Sequence, residues 1–382
     1  MRILVLSFYF KPDLSAGSFR TTALVEQLKQ NSEVEVDVVT TKPNRYSSFK
    51  SEAKNYEKDE NVVVHRVSLP SHKSGMLDQV ISYFSFYRKA LKLTSDKEYD
   101  LVYATSSRLF TAFLGVRIGL KNKAPVFLDV RDIFVDTLKD VLPPTLFKLL
   151  APILKSIEKY TFNRANHINL VSKGFESYFK DRFSCSSYSL YTNGIDDNFI
   201  GYDYQNESPS NTVLYAGNIG EGQGLEHIIP RLAKKLPEFK FMIIGDGGRK
   251  NELLRQSEEI PNVEILPPVD RGQLNKLYKQ ADILFLHLNA YEAFEKVLPS
   301  KLFEYGATGK PIWAGVSGYA ADFISCELPN SAVFPPRNAE KAVSALNELS
   351  NTDSKRHEFI NKYQRQCIMK RLSYSIQEVG KK

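Results

Sequence analysis

Cysteine is scarce. Cys185, Cys326 and Cys367 stand far apart in 382 residues and form no CxxC pair, which fits a reducing compartment and offers neither a disulfide framework nor a zinc site. The six histidines show no HExxH spacing, so no metal site is expected. A run of 18 apolar residues is equally missing, and no membrane-spanning helix is expected. The opening MRILVLSFYF has an apolar run too short for a signal-peptide core, lacks a small-residue cleavage site and leads into Lys11 and Pro12. It reads as a first buried strand of a cytosolic protein. Without RNP, helix-turn-helix or zinc-finger patterns to organise its scattered lysines, the chain is not expected to bind nucleic acid.

What remains is ordinary for a soluble globular protein: 42% hydrophobic and 25% charged residues. A length of 382 exceeds what one core usually supports, so two domains are expected. The net charge of +7 is unevenly placed, since residues 1–195 hold 28 Lys and Arg against 20 Asp and Glu, leaving 23 against 24 for the rest. All the excess lies in the first half, as suits an anionic surface or an acidic substrate. Within it, Leu138 to Arg164 carries an apolar stripe (Leu146, Phe147, Leu149, Leu150, Ile153, Leu154, Ile157) beside Lys148, Lys155 and Lys159. That pattern fits an interfacial helix or a helix packed on its own sheet.

The first half alternates β-branched runs (RILVLSF, VEVDVVTT, NVVVHRV, LVYATS, APVFLDVR, ANHINLVS) with helical stretches at 18–30, 79–94, 109–121 and 146–165. Residues 196–211 lose periodicity and read as a linker. The alternation then restarts with TVLYAGN, FKFMIIGD, NVEILPP, ADILFLHL, KPIWAGV and SAVFPP, and helices near 223–236, 249–257, 271–281, 299–308, 319–325 and 339–350. Such alternation predicts an α/β fold of two doubly wound, Rossmann-like domains, 1–195 and 212–353, facing a central cleft. A helical tail, 354–382, is expected to pack back across to the N-terminal domain.

Chemistry in this architecture belongs to the loops that follow strands. After the first strand, Ser15 to Ser18 turn into a helix start, a natural anion site, with Gly17 in the turn and Arg20 in the first helical turn. The turn is not the GxGxxG of dinucleotide binders, which argues against a dehydrogenase. VRDIFVD places Arg131 and Asp132 at a strand end, where they form a structural ion pair or meet an anionic acceptor and its hydroxyl. In the second half, AGNIGEGQGLE sets Gly217, Asn218, Gly220, Gly222 and Gly224 between a strand and a helix, letting backbone approach a phosphate or sugar. Gly245, Gly247 and Gly248 end the next strand. Finally KVLPSKLFEYGATGKP reads as a helix of about three turns begun by Pro299 and stopped at Gly309, with Ser300, Lys301 and Glu304 near one face of its N-terminal end. A helix start suits a phosphate and a carboxylate one turn on suits sugar hydroxyls, although a solvated Glu–Lys pair has the same pattern.

Taken in order, VRDIFVD, YAGNIGEGQGLE, IIGDGG, NVEILPPVDRGQLNKLYKQADILFL and LPSKLFEYGATGKPIWAG resemble bacterial family 4 retaining glycosyltransferases of the GT-B fold that build O-antigen and capsular polysaccharide. YAGNIGEGQGLE and KVLPSKLFEYGATGKPIWAGVSGYAA further resemble transferases of N-acetyl-L-fucosamine. The resemblance implies a UDP-sugar donor as co-substrate and no separate cofactor. It implies a polyprenyl-diphosphate-linked saccharide as acceptor and a peripheral place on the inner face of the cytoplasmic membrane. It implies that the second domain holds the donor: the base near Pro267–Asp270, Pro268 included, the ribose on Glu304, and the diphosphate on Ser300, Lys301 and the loops of Gly217, Asn218, Gly220, Gly222 and Gly245. Gly17, Ser18, Arg20, Arg131 and Asp132 would meet the acceptor, with Asp132, Lys301 and Glu304 as catalytic residues. The family's Glu-x7-Glu pair is incomplete, because Lys296 stands where the first acid is expected and the acids nearby are Glu295 and Glu292. The Arg and Lys of the family's glycine loop are replaced by Asn218 and Gln223, which leaves Lys301, Lys296 and Arg249 to neutralise the diphosphate, Lys301 foremost. A hydrolysing UDP-sugar epimerase and a non-enzymatic nucleotide-sugar-binding module are the alternatives.

Overall fold

The computed structural model describes residues 1–44, 52–70, 76–106, 109–183, 187–206, 210–350 and 352–381, the side chains of 76–79 excepted. Cys185 and residues 45–51 of the basic half lie outside them. The chain divides into two compact units, Met1–Asn193 with Arg365–Lys382, and Gly194–Gln364.

The first unit is built on β1 (Arg2–Leu6), β2 (Glu35–Thr41), β3 (Tyr56–Asp59), β4 (Val62–Val67), β5 (Leu101–Thr105), β6 (Val126–Val130), β7 (His167–Leu170) and β8 (Ser187–Leu190), in the order β3-β4-β2-β1-β5-β6-β7-β8. Every pairing is parallel except the β3–β4 hairpin. The central strands are apolar along almost their whole length because helices cover both faces of such a sheet. Those helices are α1 (Ala16–Lys29), α2 (Met76–Leu93), α3 (Leu109–Asn122), α4 (Phe134–Val141), α5 (Pro144–Phe162) and the short α6 (Glu176–Lys180).

The second unit has six parallel strands, β9 (Thr212–Asn218), β10 (Lys240–Asp246), β11 (Val263–Leu266), β12 (Ile283–His287), β13 (Ile312–Gly315) and β14 (Ser331–Phe334), ordered β11-β10-β9-β12-β13-β14. Its helices are α7 (Leu225–Lys235), α8 (Lys250–Ser257), α9 (Arg271–Gln280), α10 (Lys301–Thr308), α11 (Tyr319–Glu327), α12 (Ala339–Leu346) and α13 (His357–Tyr363). The period of two along β9 sends Leu214 and Ala216 into one core with Leu302, Phe303 and Tyr305, and Val213 and Tyr215 into the other with Leu225 and Ile228. In both units the strand order reverses beside the first strand, between β1 and β5 and between β9 and β12, which is where such sheets open a crevice.

Several elements differ from expectation. The charged YEKD of β3 and the short SYSL of β8 add edge strands that apolar patterning does not reveal. The span expected as one helix from 146 follows a separate α4, with Pro143 and Pro144 at the break. α10 is two turns rather than three and begins at Lys301, with Pro299 ahead of it: Leu302 N donates to Pro299 O and Phe303 N to Ser300 O, so the entry is a tighter turn. The described residues 196–206 are no loose tether, since Phe199 and Tyr204 are buried and Asn206 donates to Gln280 O and Asp282. In the C-terminal segment, α13 places Phe359 in the second unit's core, whereas α14 (Arg365–Gly380) packs on α1 of the first.

Candidate functional site

In the second unit the carboxyl ends of β9 and β10 meet glycine against glycine. Gly217 and Gly245 are register partners with φ of 148° and 156°, and a Cβ on Gly245 would overlap the Gly217 carbonyl. A Cβ on Gly217 would overlap Lys301 Cε and Nζ. The lysine therefore lies along bare backbone at the end of β9, its ammonium 5.1 Å from the centroid of the buried Tyr215 ring. Ser300 stands at the N-cap with helical angles and no side-chain cap bond. One turn on, the half-buried Glu304 accepts a long bond, 3.4 Å, from the Tyr278 hydroxyl. Burial, reinforced by the Glu304 charge, holds that phenol well above its usual range, so it stays a donor. Lys301 is thus brought to the end of β9, with Ser300 and Glu304 beside it on the start of α10. Pro268 is half-buried in the connection from β11 to α9.

The glycine loop between β9 and α7 is fixed from several sides. Asn218 Nδ2 donates to Gln223 Oε1 at 2.6 Å, so the two residues that stand for the missing cations bond each other across Gly220. Asn289 N donates to Gly222 O at 2.8 Å, and Asn289 Nδ2 to Glu221 O at 3.0 Å. The Phe294 ring covers Gly222, 2.9 Å from where a Cβ would stand. His287, fully buried at the end of β12, donates from Nδ1 to Gln223 O at 2.6 Å and accepts at Nε2 from Arg337 N at 3.0 Å. Burial lowers its pKa to about 4, so the imidazole is neutral with its proton on Nδ1.

Arg249, a candidate for the diphosphate, is instead engaged with acids. It donates from Nε to Glu221 at 2.5 Å and lies 3.7 Å from the buried Glu226. Burial would raise the Glu221 pKa, but the Tyr291 hydroxyl and Arg249 outweigh it and hold the carboxylate ionised. Lys296 ends a 3-10 turn over Glu292–Lys296, half-buried, with Glu292 and Glu295 exposed.

In the first unit, Arg20 does not face an open site. It is 1% exposed and forms a two-pronged pair with Asp129, at 2.8 and 2.9 Å, while donating to Thr192 O and Tyr191 O. Burial opposes the Asp129 charge, but Arg20 overrides it and keeps that pKa below the usual range. Asn169 ties the same carboxylate to Tyr191 O, so Arg20 is a strut joining α1, β6 and the chain after β8. Arg131 and Asp132 turn to different partners. Arg131 donates from Nη2 to Asn193 at 3.2 Å, and its buried Nη1 has no hydrogen-bond partner among the described residues. Burial, with the Arg20 charge beside it, brings its pKa down to about 10, still a cation near neutrality. Asp132 accepts from Thr137 Oγ1 at 3.1 Å, and burial raises its pKa against that bond. Gly17 leaves open space at the start of α1, its nearest neighbour for a Cβ being Ser15 Oγ at 3.7 Å. Ser18 Oγ and Ser106 Oγ are buried and likewise unpartnered among the described residues, and Ser106 N donates to Asp129 O. Arg20 and Arg131 thus stand with two carboxyl groups, Asp129 and Asp132, around the end of β6.

Sequence reasoning missed His287, Tyr305, and the Glu221 and Tyr291 that engage the candidate Arg249. The histidine's signal was present: a lone imidazole closing the apolar strand ILFLH.

The profile of the Glycosyl transferases group 1 family matches residues 202–366. Among curated proteins, WcaI of Escherichia coli (strain K12), named for a glycosyl transferase role in colanic acid biosynthesis, is 32% identical over 141 residues, 36% of this chain and 34% of WcaI. Sulfoquinovosyl transferase SQD2 of Arabidopsis thaliana is 26% identical over 206 residues, 53% of this chain and 36% of SQD2. The matches thus span about a third of the length of these relatives. Of solved structures, Anabaena HepE in complex with UDP-glucose superposes with a TM-score of 0.68 at 16% identity, over 99% of this chain and 100% of that one. The lipopolysaccharide outer core galactosyltransferase WaaB superposes at 0.61 with 14% identity, over 99% of both chains. WaaG, a glycosyltransferase of lipopolysaccharide biosynthesis, superposes at 0.61 with 11% identity, over 99% of this chain and 98% of WaaG. Residues 202–366 are therefore a glycosyl transferases group 1 domain, within a chain that has the GT-B fold of two Rossmann-like parallel-sheet units.

Proposed function

We propose that the chain is a UDP-sugar-dependent glycosyltransferase of O-antigen or capsule synthesis. It moves a sugar, an N-acetylated deoxyhexosamine such as N-acetyl-L-fucosamine, onto a hydroxyl of a polyprenyl-diphosphate-linked saccharide. The observation that carries the reading is the Lys301 ammonium lying along Gly217 at the carboxyl end of β9, with Glu304 one helical turn behind it. Breaking an anomeric bond builds negative charge on the departing diphosphate, so the protein's chief contribution is electrostatic. Lys301 supplies the charge there, the backbone of Gly217, Asn218, Gly220, Gly222 and Gly245 approaches the phosphates, and Glu304 accepts from the ribose hydroxyls. Pro268 borders the base, and Ser300 presents its hydroxyl at the helix start.

In the first unit, Arg131, Gly17 and Ser18 receive the acceptor's anionic part, with Arg20 holding that surface in shape, and Asp132 meets the acceptor hydroxyl. The raised pKa of Asp132 suits a group that takes up a proton as the bond forms. Retaining transfer on one face, the leaving phosphate sharing that proton, needs no protein nucleophile.

A lipid-linked acceptor places the enzyme at the cytoplasmic face of the inner membrane. Among the described residues no helix is long and apolar enough to cross a membrane. Instead Leu149 and Ile153 of α5 are 72% and 60% exposed, flanked by exposed Lys148 and Lys155. On α2, which with α5 packs against α3, Val80, Ile81 and Phe84 are also exposed. Apolar residues rimmed by lysine support peripheral binding to anionic lipid. The test is a thermal-shift screen over UDP, GDP, ADP and TDP sugars, then transfer to a lipid-diphosphate saccharide. UDP compounds are expected to stabilise the protein most, and a preference for another base or absence of transfer overturns the reading.

A further inference from the structure

β9 and β12 pair only through Ile283↔Val213 and Leu284↔Leu214, after which the two strands part at the strand-order reversal. The parting leaves the Ala216 N–H and the Phe285 carbonyl without each other's strand to bond, inside a buried core. A single side chain fills the gap. Tyr305, wholly buried on α10, accepts from Ala216 N at 3.3 Å and donates to Phe285 O at 3.1 Å. Its ring meets Tyr278 edge-on at 5.7 Å, and burial keeps its phenol protonated far above neutrality. Tyr305 follows Lys301 by four residues, so both lie on one helical face. Ala216, which Tyr305 grips, directly precedes Gly217, along which Lys301 runs.

We infer that Tyr305 is a positioning residue for transfer: its hydroxyl splints the parting of β9 and β12 and so sets where Lys301 stands relative to the end of β9. This rests on the reading of Lys301 as the diphosphate contact. A phenol serving only the core would set stability and leave ligand affinity alone; one that aims Lys301 must set affinity through that lysine.

The experiment is a UDP titration by calorimetry of the parent, Tyr305→Phe, Lys301→Ala and the double variant, with Tyr204→Phe as a control for a buried phenol bonded elsewhere in the unit, to Asn275. Loss of the splint is expected to weaken UDP binding about ten-fold in the parent background, as for a buried hydrogen bond removed. In the Lys301→Ala background it is expected to cost less than two-fold, the non-additivity of residues that act as a unit. Tyr204→Phe should lower the melting temperature without changing UDP affinity. Should Tyr305→Phe not fold, Tyr305→His, which keeps a ring donor at the site, is expected to bind UDP more weakly than the parent. Unchanged affinity in the folded variant, or an equal penalty with and without Lys301, overturns the inference. Failure of the parent itself to bind UDP overturns the donor reading on which it stands.

Discussion

Lys301 and Gly217 occupy complementary space: a methyl group on Gly217 would fall on the lysine's Cε and Nζ. The glycine at the end of β9 is therefore a seat for the ammonium as well as a place where backbone can approach a ligand. Its φ of 148° adds a backbone reason for having no side chain.

Lys301→Ala is predicted to lower kcat about 10²–10³-fold, the loss of one donor aimed at developing charge. Gly217→Ala displaces the same amine and should cost a comparable factor in the parent but little more in Lys301→Ala. Steady-state kinetics of the three variants checks this; additive effects would separate the two residues.

Glu304→Ala should weaken UDP binding by about 1.5–3 kcal/mol, the range for hydrogen bonds to a charged group. The same change should leave binding of 2′,3′-dideoxy-UDP nearly untouched, because that ligand lacks the hydroxyls the carboxylate would accept from. Calorimetric titration of both ligands decides.

Glu158 is 5% exposed on α5 and receives a 2.8 Å bond from the Tyr178 hydroxyl. Burial raises its pKa from 4.5 to about 7, against that bond and the Arg182 charge. Between these values the folded state holds more proton than the unfolded chain, so stability is greatest below the lower one and falls as pH rises toward 7. Glu158→Gln removes the ionisation. Its stability relative to the parent is predicted to rise by about 2–3 kcal/mol from pH 4.5 to pH 8, measured by urea unfolding at both pH values.

Leu149→Asp with Ile153→Asp should abolish sedimentation with vesicles containing anionic lipid while preserving UDP affinity, since both side chains are exposed on a helix of the other unit. Equal recovery of parent and variant with anionic and neutral vesicles would remove the membrane contact.

The alternation of VVT, LVYAT or FMII with helical periods was enough to read both sheets, because strands buried on two faces must be apolar along their length. It failed at YEKD, whose charges suit an edge, and at α4, a separate short helix ahead of Pro143 and Pro144, while the apolar stripe from Leu146 to Ile157 lies wholly in α5. Ser300, Lys301 and Glu304 could be grouped from spacing alone, since helical period decides a shared face. The fate of Arg20 could not: a basic residue in the first turn of a helix reads as a ligand contact, and only the fold brings Asp129 from 109 positions away to hold it. Arg249 misled in the same manner, since its acid partner Glu221 lies 28 residues earlier in a loop whose course glycines conceal. Tyr305 was invisible because its role depends on two strands separating.

The most direct test is a crystal structure of the protein with a UDP-sugar. The account predicts diphosphate oxygens within hydrogen-bonding distance of Lys301 Nζ beside Gly217, and ribose hydroxyls on the Glu304 carboxylate. Nucleotide density elsewhere on the second unit, with both side chains as they stand without ligand, would contradict it.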